Sequence, residues 1–148
     1  MDIQIREINQ ADYHEMLLIR KNELGSNTTI EDFSSKMDMM NKDEAYKTFV
    51  AIYENEMIGF ISTITILAFE WPLGYLRIDG FAVKSSYQSK GIGTRLLAYV
   101  EEYAKEKGIS VSSLNCNLER KDSHAFYESK GYKKHAYFYV KRLEEVKA

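Results

Sequence analysis

The sequence predicts an α/β fold, and three of its features support this prediction. Residues 75–84 have the apolar pattern of a strand, residues 94–107 repeat apolar side chains at helical spacing, and residues 109–118 return to a strand pattern. Two strands joined through a helix form a parallel pair in one sheet. Residues 48–53 and 57–69 flank a polar turn and predict an antiparallel hairpin. The sheet is therefore expected to be mixed.

The N-terminal part predicts one strand and two helices ahead of the hairpin. Residues 3–8 alternate apolar and polar side chains, as expected of a strand with one buried face. Residues 12–24 follow with helical spacing, and Gly25 is expected to end that helix. Residues 29–41 carry one apolar stripe and predict a second helix. Within the hairpin, Gly59 is the expected position of a bulge.

The C-terminal part predicts a short helix and a last strand. The only tryptophan and the only proline lie in residues 70–74, which are expected to interrupt the pattern before a strand begins at residue 75. Gly108 is expected to cap the central helix in a left-handed conformation. Residues 122–129 predict a short helix, and residues 132–143 are rich in aromatic side chains, as strands are.

Length and composition limit the class of protein. The chain has 148 residues, 45% hydrophobic and 28% charged, so residues 1–148 are expected to form one domain. A net charge of −2 gives no electrostatic case for binding nucleic acid. Cys116 is the only cysteine, which excludes an intrachain disulfide and fits a reducing compartment. Since no signal peptide or membrane-spanning window is present, we expect a cytoplasmic protein without a membrane partner or a metal.

A glycine-rich loop precedes the central helix. Its sequence is Gln88-Ser89-Lys90-Gly91-Ile92-Gly93-Thr94. Gly91 and Gly93 let the backbone approach a ligand, and the first N–H groups of the helix have no intrahelical partner, which favours a phosphate. A P-loop fits poorly because Lys90 precedes the glycine pair, and a dinucleotide fingerprint fits poorly because Leu96 replaces a small residue. An ordinary glycine turn is the simpler alternative.

Two motifs together resemble the Gcn5-related N-acetyltransferase (GNAT) family. The spacing Gln-x-x-Gly-x-Gly at residues 88–93 is similar to the acetyl-CoA pyrophosphate loop of that family. Residues 120–132 are similar to its later segment, which carries Phe-Tyr-Glu-x-x-Gly-Phe/Tyr. The resemblance covers residues 75–140 best. It implies a mixed, mostly antiparallel sheet with helices on both faces and a central parallel strand pair that splays apart beyond the loop.

The resemblance implies acetyl-CoA as the cosubstrate. The residues expected to bind it are Phe81, Ala82, Val83, Gln88, Ser89, Lys90, Gly91, Ile92, Gly93, Thr94 and Asn117. Residues 81–83 would pair with its pantetheine arm, although ordinary pairing with a neighbouring strand leaves the same side-chain pattern. Lys90, Arg95 and Arg120 are charged candidates for the phosphates. Asn117 is the expected amide contact, because Arg120 stands where many family members have asparagine.

Catalytic roles follow from the same resemblance. Tyr127 is the implied general acid, since the leaving thiolate gains from a proton donor within hydrogen-bond reach. Its neighbour Phe126 cannot share a helix face with it, so we expect Phe126 to pack inward and Tyr127 to face the cleft. Asp79 is the candidate base for the amine, with Glu70 as a second candidate. Because no base lies near Cys116 in the sequence, direct transfer is preferred to a covalent intermediate.

No motif identifies the acceptor. The residues expected to line its site are Phe33, Glu70, Trp71 and Tyr75. Carboxylates on the second helix and on the segments around it would draw a cationic amine, although such groups also simply solvate a helix face. A preference for an acidic or phosphonate-bearing amine would instead point to Arg20, Arg77 or Lys84.

The preferred hypothesis is an acetyl-CoA-dependent N-acetyltransferase that acetylates a primary amine of a small acceptor by direct attack. The alternative on the same scaffold is a non-catalytic CoA-sensing or partner-binding domain. A nucleotide-binding α/β domain is a third hypothesis, and ATP or NAD would stabilise it where acetyl-CoA does not. The expected partner is a small-molecule amine, and the sequence leaves a homodimer open.

Overall fold

A five-stranded sheet forms the framework of residues 1–144, the part of the chain that the computed structural model describes. The strands are β1 (Gln4–Glu7), β2 (Tyr46–Tyr53), β3 (Glu56–Ala68), β4 (Trp71–Val83) and β5 (Ser112–Leu114). The helices are α1 (Tyr13–Leu24), α2 (Ile30–Asn41), α3 (Ile92–Glu106) and α4 (Lys121–Ser129), with short 3-10 helices at Gln10–Asp12 and Ser85–Tyr87. Residues 145–148 of the expected domain lie outside the described residues. None of the helices described is long and apolar enough to cross a bilayer.

The strands lie in the order β1-β2-β3-β4-β5. The first four are antiparallel neighbours, and β4 and β5 are parallel, with pairs from Leu76 opposite Ser112 to Ile78 opposite Leu114. The connection from β4 to β5 passes through α3, as the strand, helix and strand pattern predicts. The mixed, mostly antiparallel sheet is therefore confirmed.

Helices cover both faces of the sheet, as predicted. The first layer packs α3 residues Ile92, Leu96, Leu97 and Val100 on the strand residues Ala51, Ile58, Ile61, Leu76 and Ile78. The second layer packs α1 and α2 residues Met16, Leu17, Ile19, Phe33 and Met37 on the strand residues Val50, Met57, Phe60 and Ala82. Strand side chains alternate between the two layers, because successive residues of a strand point to opposite faces.

The β2–β3 hairpin closes through a tight turn. Glu54 and Asn55 have positive φ angles of 50° and 64°, the geometry of a two-residue turn whose twist matches the flanking strands. The register shifts between Ala51 and Ile52, which face Gly59 and Met57. The predicted bulge beside Gly59 is therefore confirmed.

The predicted interruption at residues 70–74 is wrong. β4 already begins at Trp71, and the turn of the β3–β4 hairpin is formed by residues 69 and 70. A register irregularity between Ile66 and Ala68 accommodates Pro72, since proline is tolerated at bulges and strand ends. Gly74 has a φ of 73°, and a Cβ there would lie 2.1 Å from the Ile66 carbonyl oxygen. The proline marks a bulged strand end rather than a break.

The predicted last strand is also wrong, because residues 132–143 contain no strand. The strand expected at residues 109–118 is reduced to Ser112–Leu114. Aromatic side chains favour strands because they pack against paired neighbours. Residues 133–144 are all exposed, so this segment has the composition of a strand without the neighbours that would make it one.

A partly buried ion pair joins β1 to the start of α1. The Arg6 guanidinium donates to both carboxylate oxygens of Asp12, at 2.7 and 2.9 Å. The Asn9 backbone N–H donates to the same carboxylate at 2.9 Å, and the Asn9 side chain accepts from the Ala11 N–H at 3.0 Å. The hydrogen bonds from Arg6 hold the pKa of Asp12 below its usual value, against the opposing effect of burial.

We expect Asp12→Asn to lower the free energy of unfolding by about 1–3 kcal/mol at pH 7, because it removes the charge from these hydrogen bonds. A depressed pKa in the folded state stabilises the fold above the unfolded pKa of about 3.9, and this contribution is lost as pH falls through the folded value. Urea unfolding from pH 7 down to pH 2.5 should therefore show the two proteins converging. A gap that stays constant would contradict this role.

Candidate functional site

The loop between β4 and α3 exposes the start of that helix. Gly91 is the N-cap residue, with a φ of 81°, and no side chain caps the helix. The first helical hydrogen bond runs from the Arg95 N–H to the Gly91 carbonyl at 3.1 Å. The N–H groups of residues 92–94 therefore have no partner within the helix. Together with the helix dipole they form a favourable environment for an anion.

A groove of about 420 Å³ lies beside this helix end. It is lined by Val83, Tyr87, Gln88, Ser89, Gly91, Ile92, Gly93, Thr94 and Phe126. Phe126 comes from α4, and its Cζ lies 3.6 Å from the position that a Cβ of Gly93 would occupy. A Cβ at Gly91 would meet nothing within 4 Å. The two glycines thus keep side chains out of the groove on the side of the loop.

The groove continues into a gap in the sheet. The pairing of β4 with β5 stops at Ile78, whereas β4 runs on to Val83, so residues 79–83 have no strand on that side within the described chain. The Lys84 N–H donates to the Ile58 carbonyl of β3 at 2.8 Å. Because backbone groups of a strand alternate sides, those of Phe81 and Val83 point into the gap. The geometry matches the splay that the resemblance implies.

One backbone group at this gap is already engaged. The Gln88 side-chain amide donates to the Val83 carbonyl at 3.0 Å. Ala82, the neighbour of Val83, turns its side chain into the core layer of α1 and α2. Gln88 therefore contributes by holding the loop against the end of β4. Ala82 has its side chain in the core and its backbone groups toward β3, so it presents neither to the gap.

The remaining candidate residues for the cofactor lie around the groove. The Lys90 ammonium sits 6.0 Å from the centre of the Tyr87 ring. Arg95 donates to the Ile3 carbonyl at 3.0 Å and is thereby tied to the start of β1. Asn117 is exposed, and its carbonyl accepts from His124 Nε2 at 2.7 Å and from the Arg120 N–H at 3.1 Å. Asn117 thus anchors the start of α4 through its backbone.

Tyr127 lies in an aromatic cluster next to the groove. The centre of its ring is 6.3 Å from that of Phe81, 5.3 Å from that of Phe126 and 6.0 Å from that of Tyr132. Burial raises the pKa of Tyr127, Cys116 adds to the rise, and Arg120 opposes it. Its hydroxyl is therefore protonated at neutral pH and can act as a donor.

The two adjacent aromatic residues of α4 both lie near the cleft, whereas only Tyr127 was expected to face it. Phe126, rather than Tyr127, lines the groove at Gly93, and both rings approach Phe81. Sequence analysis did not assign Phe126 and Tyr87 to the groove. The one sequence feature that could have indicated them is their position: Phe126 directly precedes Tyr127, and Tyr87 directly precedes Gln88.

Asp79 lies at a bulge in β4. Ser62 faces Gly80 and Thr63 faces Ile78, so Asp79 is the extra residue. Its carboxylate accepts from Arg77 Nη2 at 3.4 Å and is half-exposed. Leu76 and Ile78 point into the α3 layer, and Arg77 between them therefore faces α1. Asp79 stands beside Arg77 on that side of the sheet, near the gap.

The four residues expected to bind the acceptor are not brought together. Phe33 is 7% exposed and packs edge to face on Tyr13, with the ring centres 6.3 Å apart. Trp71 and Tyr75 contact each other, at 5.6 Å between ring centres, on the first part of β4. Glu70 lies in the exposed turn before them. From Trp71 to Asp79 the strand extends by roughly 25 Å, so this hairpin end lies far from the gap.

The chain is similar to known acetyltransferases. The model of the acetyltransferase (GNAT) family matches residues 4–132. YhdJ of Bacillus subtilis, an uncharacterized N-acetyltransferase, is 32% identical over 112 residues, which are 73% of this chain and 75% of YhdJ. The aminoalkylphosphonate N-acetyltransferase of Salmonella typhimurium is 28% identical over 123 residues, 83% of this chain and 77% of that protein.

A solved structure shares the fold at lower identity. It is an aminoglycoside acetyltransferase from an uncultured soil sample, in complex with sisomicin, with a TM-score of 0.85 and 18% identity. The similarity covers 96% of this chain and 97% of that one. At this identity it is evidence for the fold alone.

Proposed function

This chain belongs to the GNAT family and is an N-acetyltransferase, and we propose that it transfers acetyl from acetyl-CoA directly to a primary amine of a small acceptor. The observation that supports this most directly is the uncapped start of α3, which opens into a groove beside a gap in the sheet. The unpartnered N–H groups at the groove favour a pyrophosphate, and the gap would receive an extended arm.

The loop residues would hold the phosphates. The N–H groups of residues 92–94 are aligned with the positive end of the helix dipole, and the two glycines allow close approach. Lys90, in the loop itself, is a candidate for a direct charge contact. In the gap, the backbone groups of Phe81 and the N–H of Val83 would pair with the amides of the pantetheine arm, as an added strand does, while the Val83 carbonyl is already held by Gln88.

The gap offers access from two sides, and this suggests how the reaction proceeds. The amine would approach from the α1 side, where Asp79 can accept its proton directly or through a water. The nitrogen lone pair attacks the thioester carbonyl, the tetrahedral intermediate collapses, and the C–S bond breaks. Tyr127, which packs on Phe81 from the α4 side, would give its proton to the leaving sulfur and recover one from solvent.

Changing Gly91 tests the anion site. Gly91→Glu should lower acetyl-CoA affinity by about 100-fold or more, because a carboxylate would stand beside the phosphates. Gly91→Gln has the same size and the same strained backbone without the charge, and should lose about tenfold or less. Calorimetry at two salt concentrations measures both affinities, and the loss in the Glu variant should shrink at higher salt. Equal affinities for the two variants would contradict the assignment of the loop.

Changing Tyr127 tests the proton donor. Tyr127→Phe keeps the ring and should lower kcat by about 10²- to 10⁴-fold, with little change in acetyl-CoA affinity. Tyr132→Phe is the matched control, because its hydroxyl bonds to Ser112 Oγ at 2.7 Å in the same aromatic cluster. Single-turnover kinetics isolate the chemical step. Wild-type rates in the Tyr127 variant would exclude this role.

Two opposite acceptor chemistries remain open. One curated relative is named for aminoalkylphosphonates, which are anionic, and the fold neighbour is an aminoglycoside acetyltransferase, whose class of acceptor is polycationic. A cationic amine is the acceptor that the sequence would favour if its carboxylates act together. The charges around the gap bear on the choice between the two.

A further inference from the structure

Two arginines from different elements lie on the α1 side of the sheet, near the gap. Arg20 comes from α1, and its Nη1 lies 3.6 Å from the position that a Cβ of Gly80 would occupy. Arg77 comes from β4 and faces the same side. The Nε atoms of Arg20 and Arg77 are buried and have no hydrogen-bond partner within the described chain. They are the only buried side-chain polar atoms of residues 1–144 in that condition.

Unpartnered buried donors are costly. Leaving one without a partner costs about 1–3 kcal/mol, and more when the group is charged. Burial lowers the pKa of Arg20, and the Asp79 carboxylate opposes that effect. Arginine nevertheless remains charged, since its ordinary pKa is above about 12. Two such donors raise the free energy of the empty site. Binding a ligand that accepts hydrogen bonds from them would lower it.

The charges at this place leave a positive excess. Asp79 is the carboxylate that faces both arginines, and its single contact with Arg77 is long, at 3.4 Å. Glu23, also on α1, is occupied by the backbone N–H and the hydroxyl of Ser85, at 3.0 and 2.6 Å. Two guanidinium groups therefore share one carboxylate.

Two of the carboxylates expected to attract a cationic amine are engaged elsewhere. Asp38 accepts from the Tyr13 hydroxyl at 3.0 Å, and Glu44 lies 3.5 Å from the Lys47 ammonium. Lys84, the third basic candidate, pairs with Glu56 at 2.7 Å. Arg20 and Arg77 are thus the basic side chains that face the gap without a full set of partners.

We propose that the acceptor amine carries an anionic group, a carboxylate, phosphonate or phosphate, which Arg20 and Arg77 bind on the α1 side of the gap. This inference rests on the proposed N-acetyltransferase function. The planar guanidinium groups match the paired oxygens of such an anion, and partial burial strengthens the interaction because it is less screened by water. Gly80 lets the Arg20 guanidinium lie close to the sheet, since Arg20 Nη1 is 3.6 Å from where a Cβ would stand. The amine of a short acceptor would then lie near Asp79.

Amines of similar size and different charge test this inference. Aminoethylphosphonate, β-alanine, ethanolamine and spermidine are compared by CoA release with acetyl-CoA present, and by calorimetry without it. We expect kcat/KM for one of the two anionic amines to exceed that for ethanolamine and spermidine by about 30-fold or more. Arg20→Gln and Arg77→Gln should each remove most of that preference, mainly through KM. Lys84→Gln is the matched control and should keep it.

The two readouts separate the two proposals. Calorimetric binding of an anionic amine that is lost in Arg20→Gln, without CoA release, would support the anion site and contradict the proposed transfer. Transfer that prefers spermidine or ethanolamine, or an anionic preference that both arginine variants retain, would overturn the anion site. Comparing phosphonate with carboxylate identifies which anion the site takes.

Discussion

The geometry of the site depends on one constraint: β4 is longer than the strand beside it. β5 pairs with only three residues, so the last five residues of β4 keep one row of backbone groups free of any strand in the described chain. An unpaired strand edge is normally a liability, because its N–H and C=O groups seek partners. Here α4 and the loop before α3 stand around it, and the Gln88 side chain covers one carbonyl. In the proposed function this edge serves as a binding surface, because its other neighbours are fixed.

A second local feature gives the gap its chemistry. The bulge at Asp79 shifts the alternation of β4 by one residue, so Arg77, Asp79 and Gly80 all face α1, whereas Phe81 returns to the α3 layer. Without the extra residue, the side chains on either side of the gap would be exchanged between layers. The bulge therefore separates a polar side, with two arginines and a carboxylate, from an aromatic side, with Phe81, Phe126 and Tyr127.

The elements that sequence analysis predicted correctly are those with local causes. The glycine pair, the amphipathic pattern of α3 and the left-handed Gly108 each depend on a few neighbouring residues, and the structure has them where expected. The misplaced start of β4 and the missing last strand depend on pairing between distant segments. Proline is tolerated at a bulge in a strand. A segment rich in aromatic residues stays irregular when no strand edge pairs with it. The bulge at Asp79 likewise has no signature in its own residues.

The charge expected of the acceptor depends on the partners of the charged groups as well as on composition. Counting carboxylates around the helices suggests an acidic surrounding, but an exposed charge that already has a partner contributes little at a distance and is screened by salt. Asp38 and Glu44 are of this kind. A partly buried guanidinium with an unpartnered Nε acts differently, because its field is less screened and its desolvation is not compensated. In the proposed anion site, two such groups would outweigh a larger number of solvated carboxylates and set the sign of the field that an acceptor meets at the gap.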